Sequence, residues 1–429
     1  MFQAHIRPAS AIFIGHVCIS LIGIVSLRLI TELAPLHVYG EANLIVTALL
    51  LGQQIVIAPL YNTILRYQTE SNDPGAGNEF SRQALAWSLS AAAALGVVVA
   101  VCLLLWSFLS GRAVGTIAVA AGLWLLAGSV KTTIMYRFHA ERRQPTFMAL
   151  AVAEAFLLAA GTAVALKLSP TSEMYLLGYA GGGICLAVIC VVVAPWPVLP
   201  GLKLPSRRSR FFEKVMSYGL AFSPLAALGW LSNLADRYTL GLFLGSAAVG
   251  QYLASFAVAN RGMTLASGGM ADLFRPMLFE AENRGDRGKA GRVFFAWLAA
   301  TLLASIAALI AIYFFGAWIA WIVLSESYRS GSTEIMLWIT FGYGISGLTQ
   351  IVECRLLSLH ASSRLILPLA FGGIANLVFS LVLVPWVGVI GAAQATCCSF
   401  AVQALVTTWV LIRRLRKRKA EANNPAQPG

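Results

Sequence analysis

Twelve apolar stretches, each about as long as a helix that crosses a bilayer, alternate along this chain with connections that are by turns strongly basic and almost uncharged. A hydrocarbon core needs roughly 20 apolar residues per helical crossing. The stretches fall at 9–31, 42–65, 83–109, 114–136, 146–166, 174–193, 215–240, 247–270, 293–315, 335–357, 365–386 and 391–412. With 58% of residues hydrophobic and 11% charged, no sizeable soluble domain is left over. Residues 317–324 are too short to cross and are expected to lie at the interface or to extend the neighbouring helix. The first stretch lacks a small-residue cleavage site and exceeds a signal peptide's apolar region, so it is expected to be retained.

Charge orients the spans. One set of connections and helix ends holds 24 basic residues, among them Arg66, Arg137, Arg142, Arg143, Arg207, Arg208, Arg210, Lys214 and the tail 413–419. The opposite set holds only Arg112, Lys167 and Arg329. The positive-inside rule then puts both termini in the cytoplasm. The net charge of +13 is this topology signal rather than a nucleic-acid footprint, and the basic tail sits where anionic headgroups attract it.

The seven cysteines all lie in apolar spans without metal-site spacing, and the five histidines are scattered. Neither disulfides nor a metal is expected, and no cofactor is called for. The Pro-rich, basic segment 195–214 reads as a cytoplasmic linker between a lobe at 1–194 and one at 215–412, with the tail at 413–429. Both lobes open comparably: Val38-Tyr39-Gly40-Glu41 precedes a span ending at Arg66, and Ala248-Val249-Gly250-Gln251-Tyr252 one ending near Arg275. The expected fold is therefore an all-α polytopic membrane protein of about 12 helices, in two six-helix lobes related by a pseudo-twofold axis along the membrane normal.

A charged side chain at the centre of a membrane helix costs roughly 2.5–3.5 kcal/mol, so those retained face a cavity or a partner. Here they are Arg28, Lys131, Glu154, Asp236, Arg237, Arg261 and Glu353. Arg28, Arg66, Arg237 and Arg261, with Gln53, Gln54 and Asn260, are the candidate substrate-binding groups of a cationic cavity. Fixed guanidinium groups suit an anionic, phosphate-bearing cargo. Arg28, near its helix end, has a snorkelling reading as well. Asp236, Glu154 and Glu353 are the candidate ion- or proton-coupling groups. Lys131 and Glu154, at comparable depth on successive spans, also suit a structural pair, and Asp236–Arg237 suits a rim ion pair. Pro59 and Pro224 lie within spans two and seven and are candidate hinges, since an internal proline frees a carbonyl.

Three stretches carry a family resemblance: Asn233-Leu234-Ala235-Asp236-Arg237-Tyr238-Thr239-Leu240-Gly241; Phe243-Leu244-Gly245 with Ala248-Val249-Gly250-Gln251-Tyr252; and Val384-Pro385-Trp386-Val387-Gly388-Val389-Ile390-Gly391-Ala392-Ala393-Gln394-Ala395-Thr396. With Leu65-Arg66-Tyr67 in the first half, the chain resembles the polysaccharide and O-antigen flippases of the multidrug, oligosaccharidyl-lipid and polysaccharide exporter superfamily. The resemblance implies a non-enzymatic monomer of a bacterial inner membrane. It implies movement of an undecaprenyl-diphosphate-linked oligosaccharide to the outer leaflet by alternating access, for a polysaccharide polymerase and chain-length regulator. Its rivals are a cation-coupled multidrug exporter of the same superfamily, which should prefer an acidic cavity, and a glycan polymerase or ligase. The latter needs a substantial external loop, and the longest here is 316–334.

Overall fold

The computed structural model describes residues 2–70, 74–111, 114–194, 205–359 and 361–423. Expectations placed on Arg112 and on the linker residues Pro195, Pro197, Pro200 and Lys203 fall outside this set. Every regular element among the described residues is helical. The chain forms two compact units, Met1–Ala227 and Leu228–Gly429.

The first unit contains α1 (Phe2–Leu33), α2 (Leu36–Gly52), α3 (Ala58–Tyr67), α4 (Pro74–Ser110), α5 (Gly115–Ala140), α6 (Gln144–Leu168), α7 (Ser172–Val193) and the short α8 (Arg210–Ser217). α2 and α3 are one span, joined by a π-helical turn at Gln53–Ile57. α9 (Phe222–Asn283) enters the second unit, followed by α10 (Arg287–Val323), α11 (Glu326–Arg329), α12 (Ser332–Ser358), α13 (Ile366–Val387) and α14 (Val389–Asn423). α10 runs without a break, so residues 317–324 extend span nine.

Eleven helices among the described residues are long and apolar enough to cross a membrane. The twelfth crossing is hidden in α9, whose 62 residues would reach about 93 Å if straight. It is not straight: Gly245 has φ +81° and ψ 173°, a conformation that a residue with a Cβ avoids. The Tyr252 hydroxyl donates to Asp236 at 2.5 Å although the two are 16 residues apart, about 24 Å along a continuous helix. The chain therefore doubles back at Gly245, and α9 is a hairpin of two membrane-length arms, the expected spans seven and eight.

Burial and packing repeat between the units. In the first, α4 packs on α5, α5 on α7 and α6 on α7; in the second, α10 packs on α12, α12 on α14 and α13 on α14. The most apolar windows of α5 and α12 are the most enclosed, at 61% and 56% buried, those of α7 and α14 are 44% each, and those of α6 and α13 are 22% and 28%. Spans three and nine, α4 and α10, turn large apolar side chains such as Leu104, Phe108, Phe295 and Phe314 outward, as lipid-facing helices do. Two helices six spans apart thus occupy like environments, which supports a duplicated unit. Close contact between α6 and α7 rests on small residues: a Cβ added at Gly161 or Gly178 would come within 2.4 Å of the opposite backbone.

The units divide after Ala227, later than the linker boundary expected from composition, because the chain following the linker is anchored on the first unit. Phe212 stacks on Trp87 with centroids 4.8 Å apart, Phe211 meets Phe80 edge-on, and Arg210 pairs with Glu70 at 2.5 Å. Phe211 and Phe212 of α8 supply the two ring contacts, which a hydrated linker would not make.

Candidate functional site

The membrane-embedded polar groups of the second unit converge. Asp236, on the first arm of α9 and 1% exposed, accepts hydrogen bonds from the Tyr252 hydroxyl on the second arm, from the Thr396 hydroxyl of α14 at 3.1 Å and from the backbone N–H of Arg237 at 2.9 Å. The Asn376 amide of α13 lies 3.5 Å from both Thr396 Oγ1 and Ser399 Oγ. Each of the three resembling stretches contributes one group to this node: Asp236, Tyr252 and Thr396. Asp236 lies about 13 Å and Thr396 about 12 Å from the glycine turns Gly245 and Gly388 at 1.5 Å per residue, which accounts for their meeting. A carboxylate held by hydroxyls and a backbone N–H in a buried site can take up a proton or a cation.

A second polar layer lies one turn before Asp236 on α9 and two turns beyond Thr396 on α14. Gln403 on α14 donates to Glu353 on α12 at 3.0 Å, and its amide oxygen lies 3.5 Å from Ser232 on α9. Gly372 on α13 leaves room for Gln403, whose Oε1 would stand 2.8 Å from an added Cβ. The layers follow α14, where Thr396, Ser399, Gln403 and Thr407 recur at helical spacing. That stripe was readable in the sequence. Tyr252, Thr396, Ser399 and Gln403 were absent from the expected site because uncharged hydroxyls and amides carry little signal alone.

The remaining expected groups scatter over local partners. Arg237 lies over the Phe256 ring at 5.2 Å, a cation–π contact within the α9 hairpin. Asn260 accepts from Thr264, and Arg261 beside it is half-buried. Arg28 pairs with Glu32 one turn on at 2.9 Å, near the end of α1. Arg66 is exposed and lies over the rings of Tyr67 and Tyr218 at 5.6 and 5.1 Å. Lys131 of α5 and Glu154 of α6 form an ion pair, which neutralises two charges that hydrocarbon would penalise.

Gln53 and Gln54 lie in the π-helical turn, Gln53 half-buried and Gln54 exposed. The turn has a local cause. In an α-helix the Ile55 carbonyl would accept from residue 59, and Pro59 has no N–H. The freed carbonyl accepts instead from the Ser223 hydroxyl at 2.8 Å, and the Ala58 N–H reaches back to Gln53. Pro224 follows Ser223, but it stands in the first turn of α9, where a missing N–H costs no helical bond. The break expected at Pro224 lies just ahead of it, at Tyr218 and the 3-10 turn Gly219–Ala221. Gly219 sits against the Pro59 carbonyl, 2.7 Å from where its Cβ would be.

The chain is similar over nearly its whole length to the lipid II flippase MurJ in an inward closed conformation, with 12% sequence identity, 96% of this chain and 89% of that one covered, and a TM-score of 0.67. A multidrug resistance MATE family transporter of the MOP superfamily, in its inward-facing conformation, matches with 13% identity, 95% and 96% coverage and a TM-score of 0.67. The fold is that of the MOP-superfamily transporters. A further member, from Pyrococcus furiosus, matches with 12% identity, 97% and 95% coverage and a TM-score of 0.64. No protein-family model matches the sequence, and neither does any curated protein.

Proposed function

We propose that this protein moves an undecaprenyl-diphosphate-linked oligosaccharide from the cytoplasmic to the outer leaflet of a bacterial inner membrane, by alternating access of its two six-helix units. The carrying observation is Arg261, a half-buried guanidinium on the second arm of α9, 16 residues and about 24 Å from the turn at Gly245. A fixed cation at that depth suits a diphosphate better than a cationic drug. Similarity to a lipid II flippase supports a lipid-linked cargo of this class. No covalent step is involved: the lipid tail stays in hydrocarbon while the diphosphate and sugars cross a polar interior. The monomer delivers its cargo to a polymerase and chain-length regulator.

A specific observation favours ion coupling. Asp236 and Glu353 are carboxylates held by neutral donors inside the second unit, and one or both would load the driving ion. Glu154 is left out of that role by its pairing with Lys131. The same carboxylates support the second reading, a cation-coupled multidrug exporter, as does similarity to MATE transporters.

Proteoliposomes separate the two. Transfer of a fluorescent undecaprenyl-diphosphate oligosaccharide between leaflets is expected, with at least a tenfold loss in Arg261→Ala and partial retention in Arg261→Lys, where a point charge replaces the fork. Ion-driven efflux of a cationic dye, with no transfer of the glycolipid, would replace the flippase reading by the exporter.

A further inference from the structure

The six basic residues of the C-terminal tail share one expectation from sequence, yet the structure divides them by helix face. α14 is 35 residues long, about 52 Å, against a hydrocarbon core of about 30 Å, so its last four turns or so emerge from the core. Aromatic belts mark the two boundaries: exposed Trp386 lies just before the turn at Gly388, and Trp409 lies about 30 Å along α14 from that turn. The residues beyond Trp409 lie outside the hydrocarbon core.

At about 100° per residue, Thr407, Arg414 and Arg418 fall within a 40° arc, roughly. That arc faces the bundle. Thr407 is buried, Arg414 reaches the Leu359 carbonyl at 3.5 Å, and Arg418 pairs with Glu282 at 2.8 Å. Glu282 is almost fully enclosed and also holds Arg355 at 2.7 Å, so one carboxylate faces two guanidinium groups and the corner stays net positive. Trp409, Arg413 and Arg416 fall within a second arc of about 60°, turned roughly 150° away. All three are exposed. The Arg413 guanidinium lies 3.8 Å from the centroid of the Trp409 ring, and neither Arg413 nor Arg416 has an acidic partner among the described residues.

We propose that this second face is a binding surface for acidic phospholipid: Arg413 and Arg416 take the headgroup phosphate while Trp409 sets the depth and holds Arg413 in place. Arg414 and Arg418 take no part, being engaged with the bundle. The stacked guanidinium keeps its N–H edge open to an acceptor. Lipid bound here ties the end of α14, the helix that carries Thr396 and Gln403, to the membrane surface.

The test uses the full-length protein in detergent, with native mass spectrometry counting bound phosphatidylglycerol and phosphatidylcholine during titration. Phosphatidylglycerol is expected to bind more tightly, with about a fivefold loss of affinity per arginine removed and hence ~25-fold in the Arg413→Gln/Arg416→Gln variant. Phosphatidylcholine binding should not change. Arg418→Gln is the control: it should lower the melting temperature and keep the lipid preference. Equal binding of the two lipids by the unmodified protein would overturn the proposal. So would retention of the preference by the double variant, an equal loss in Arg418→Gln, or tight binding of inorganic phosphate without lipid.

Discussion

The bond between Ser223 and the Ile55 carbonyl exists because Pro59 has no proton to give, and this dependence can be measured. In Ser223→Ala the carbonyl loses its donor. A carbonyl left unsatisfied costs about 1–3 kcal/mol in a buried site, and the half-burial of Ser223 points to the lower end. In Pro59→Ala, residue 59 regains an N–H, the π-helical turn can relax to α, and Ile55 acquires a partner within its own helix. Ser223→Ala should then cost little. The coupling between the two substitutions is expected at about 0.6–1.7 kcal/mol, between the average and the maximum that hydrogen bonds show in double-mutant cycles on membrane helices. Unfolding free energies of the four proteins in mixed micelles, titrated with sodium dodecyl sulfate, give the number. If Ser223→Ala costs the same with Pro59 in place as in the Pro59→Ala background, the serine is not serving the carbonyl the proline exposed, and the π-helical turn needs another cause. Transport gives a second readout: straightening this span should slow the flexing of the first unit and lower turnover in Pro59→Ala.

Tyr252→Phe should cost about 1.5–3 kcal/mol by removing a hydrogen bond to a buried carboxylate, and much less in the Asp236→Asn background; additive losses in an unfolding cycle would deny the hairpin contact across Gly245. Lys131→Met should destabilise by about 3–5 kcal/mol by stranding Glu154, and adding Glu154→Gln should recover most of that loss; a double variant no better than the single would show that the two side chains are not partners. Reporters fused after Arg143, Arg210, Lys289 and Lys419 should read as cytoplasmic and those after Arg112, Lys167 and Ser330 as external; a cytoplasmic signal at Lys167 would overturn the helix count.

Span number and length were legible because the bilayer imposes them: a dozen apolar runs leave few architectures open, and even the 62-residue α9 resolves into the two expected spans. Lys131 and Glu154 were legible as a pair because both charges had to be neutralised at one depth. The candidate site was less readable. Charge draws attention to Arg28 and Arg237, yet the structure gives them near neighbours on their own helix or hairpin, Glu32 and Phe256. The groups that meet around Asp236 are a tyrosine, a threonine and an asparagine drawn from three further helical segments. Their spacing in sequence says nothing of their meeting until the glycine turns at Gly245 and Gly388 are known. The anchoring of α8 was hidden for another reason: composition shows the basic residues of the linker, while the contacts come from Phe211 and Phe212 between them.

The duplication makes the polar node more informative than its residues alone. With Gly40 matched to Gly250, Asp236 corresponds to Ser26 and Tyr252 to Ala42 in the first half. Ser26 spends its hydroxyl on the Ile22 carbonyl of its own helix, at 2.5 Å, and Ala42 is packed with no exposed surface. The first unit therefore packs the equivalent place with small groups and meets no electrostatic cost there. Nothing in the shared architecture requires a carboxylate at this depth. Its presence in the second unit, with donors brought from both arms of α9 and from α14, is a departure from the common plan that costs desolvation energy, offset in part by the hydrogen bonds it accepts. We propose that this retained cost serves transport: a buried carboxylate hydrogen-bonded by neutral donors can take up and release a positive charge.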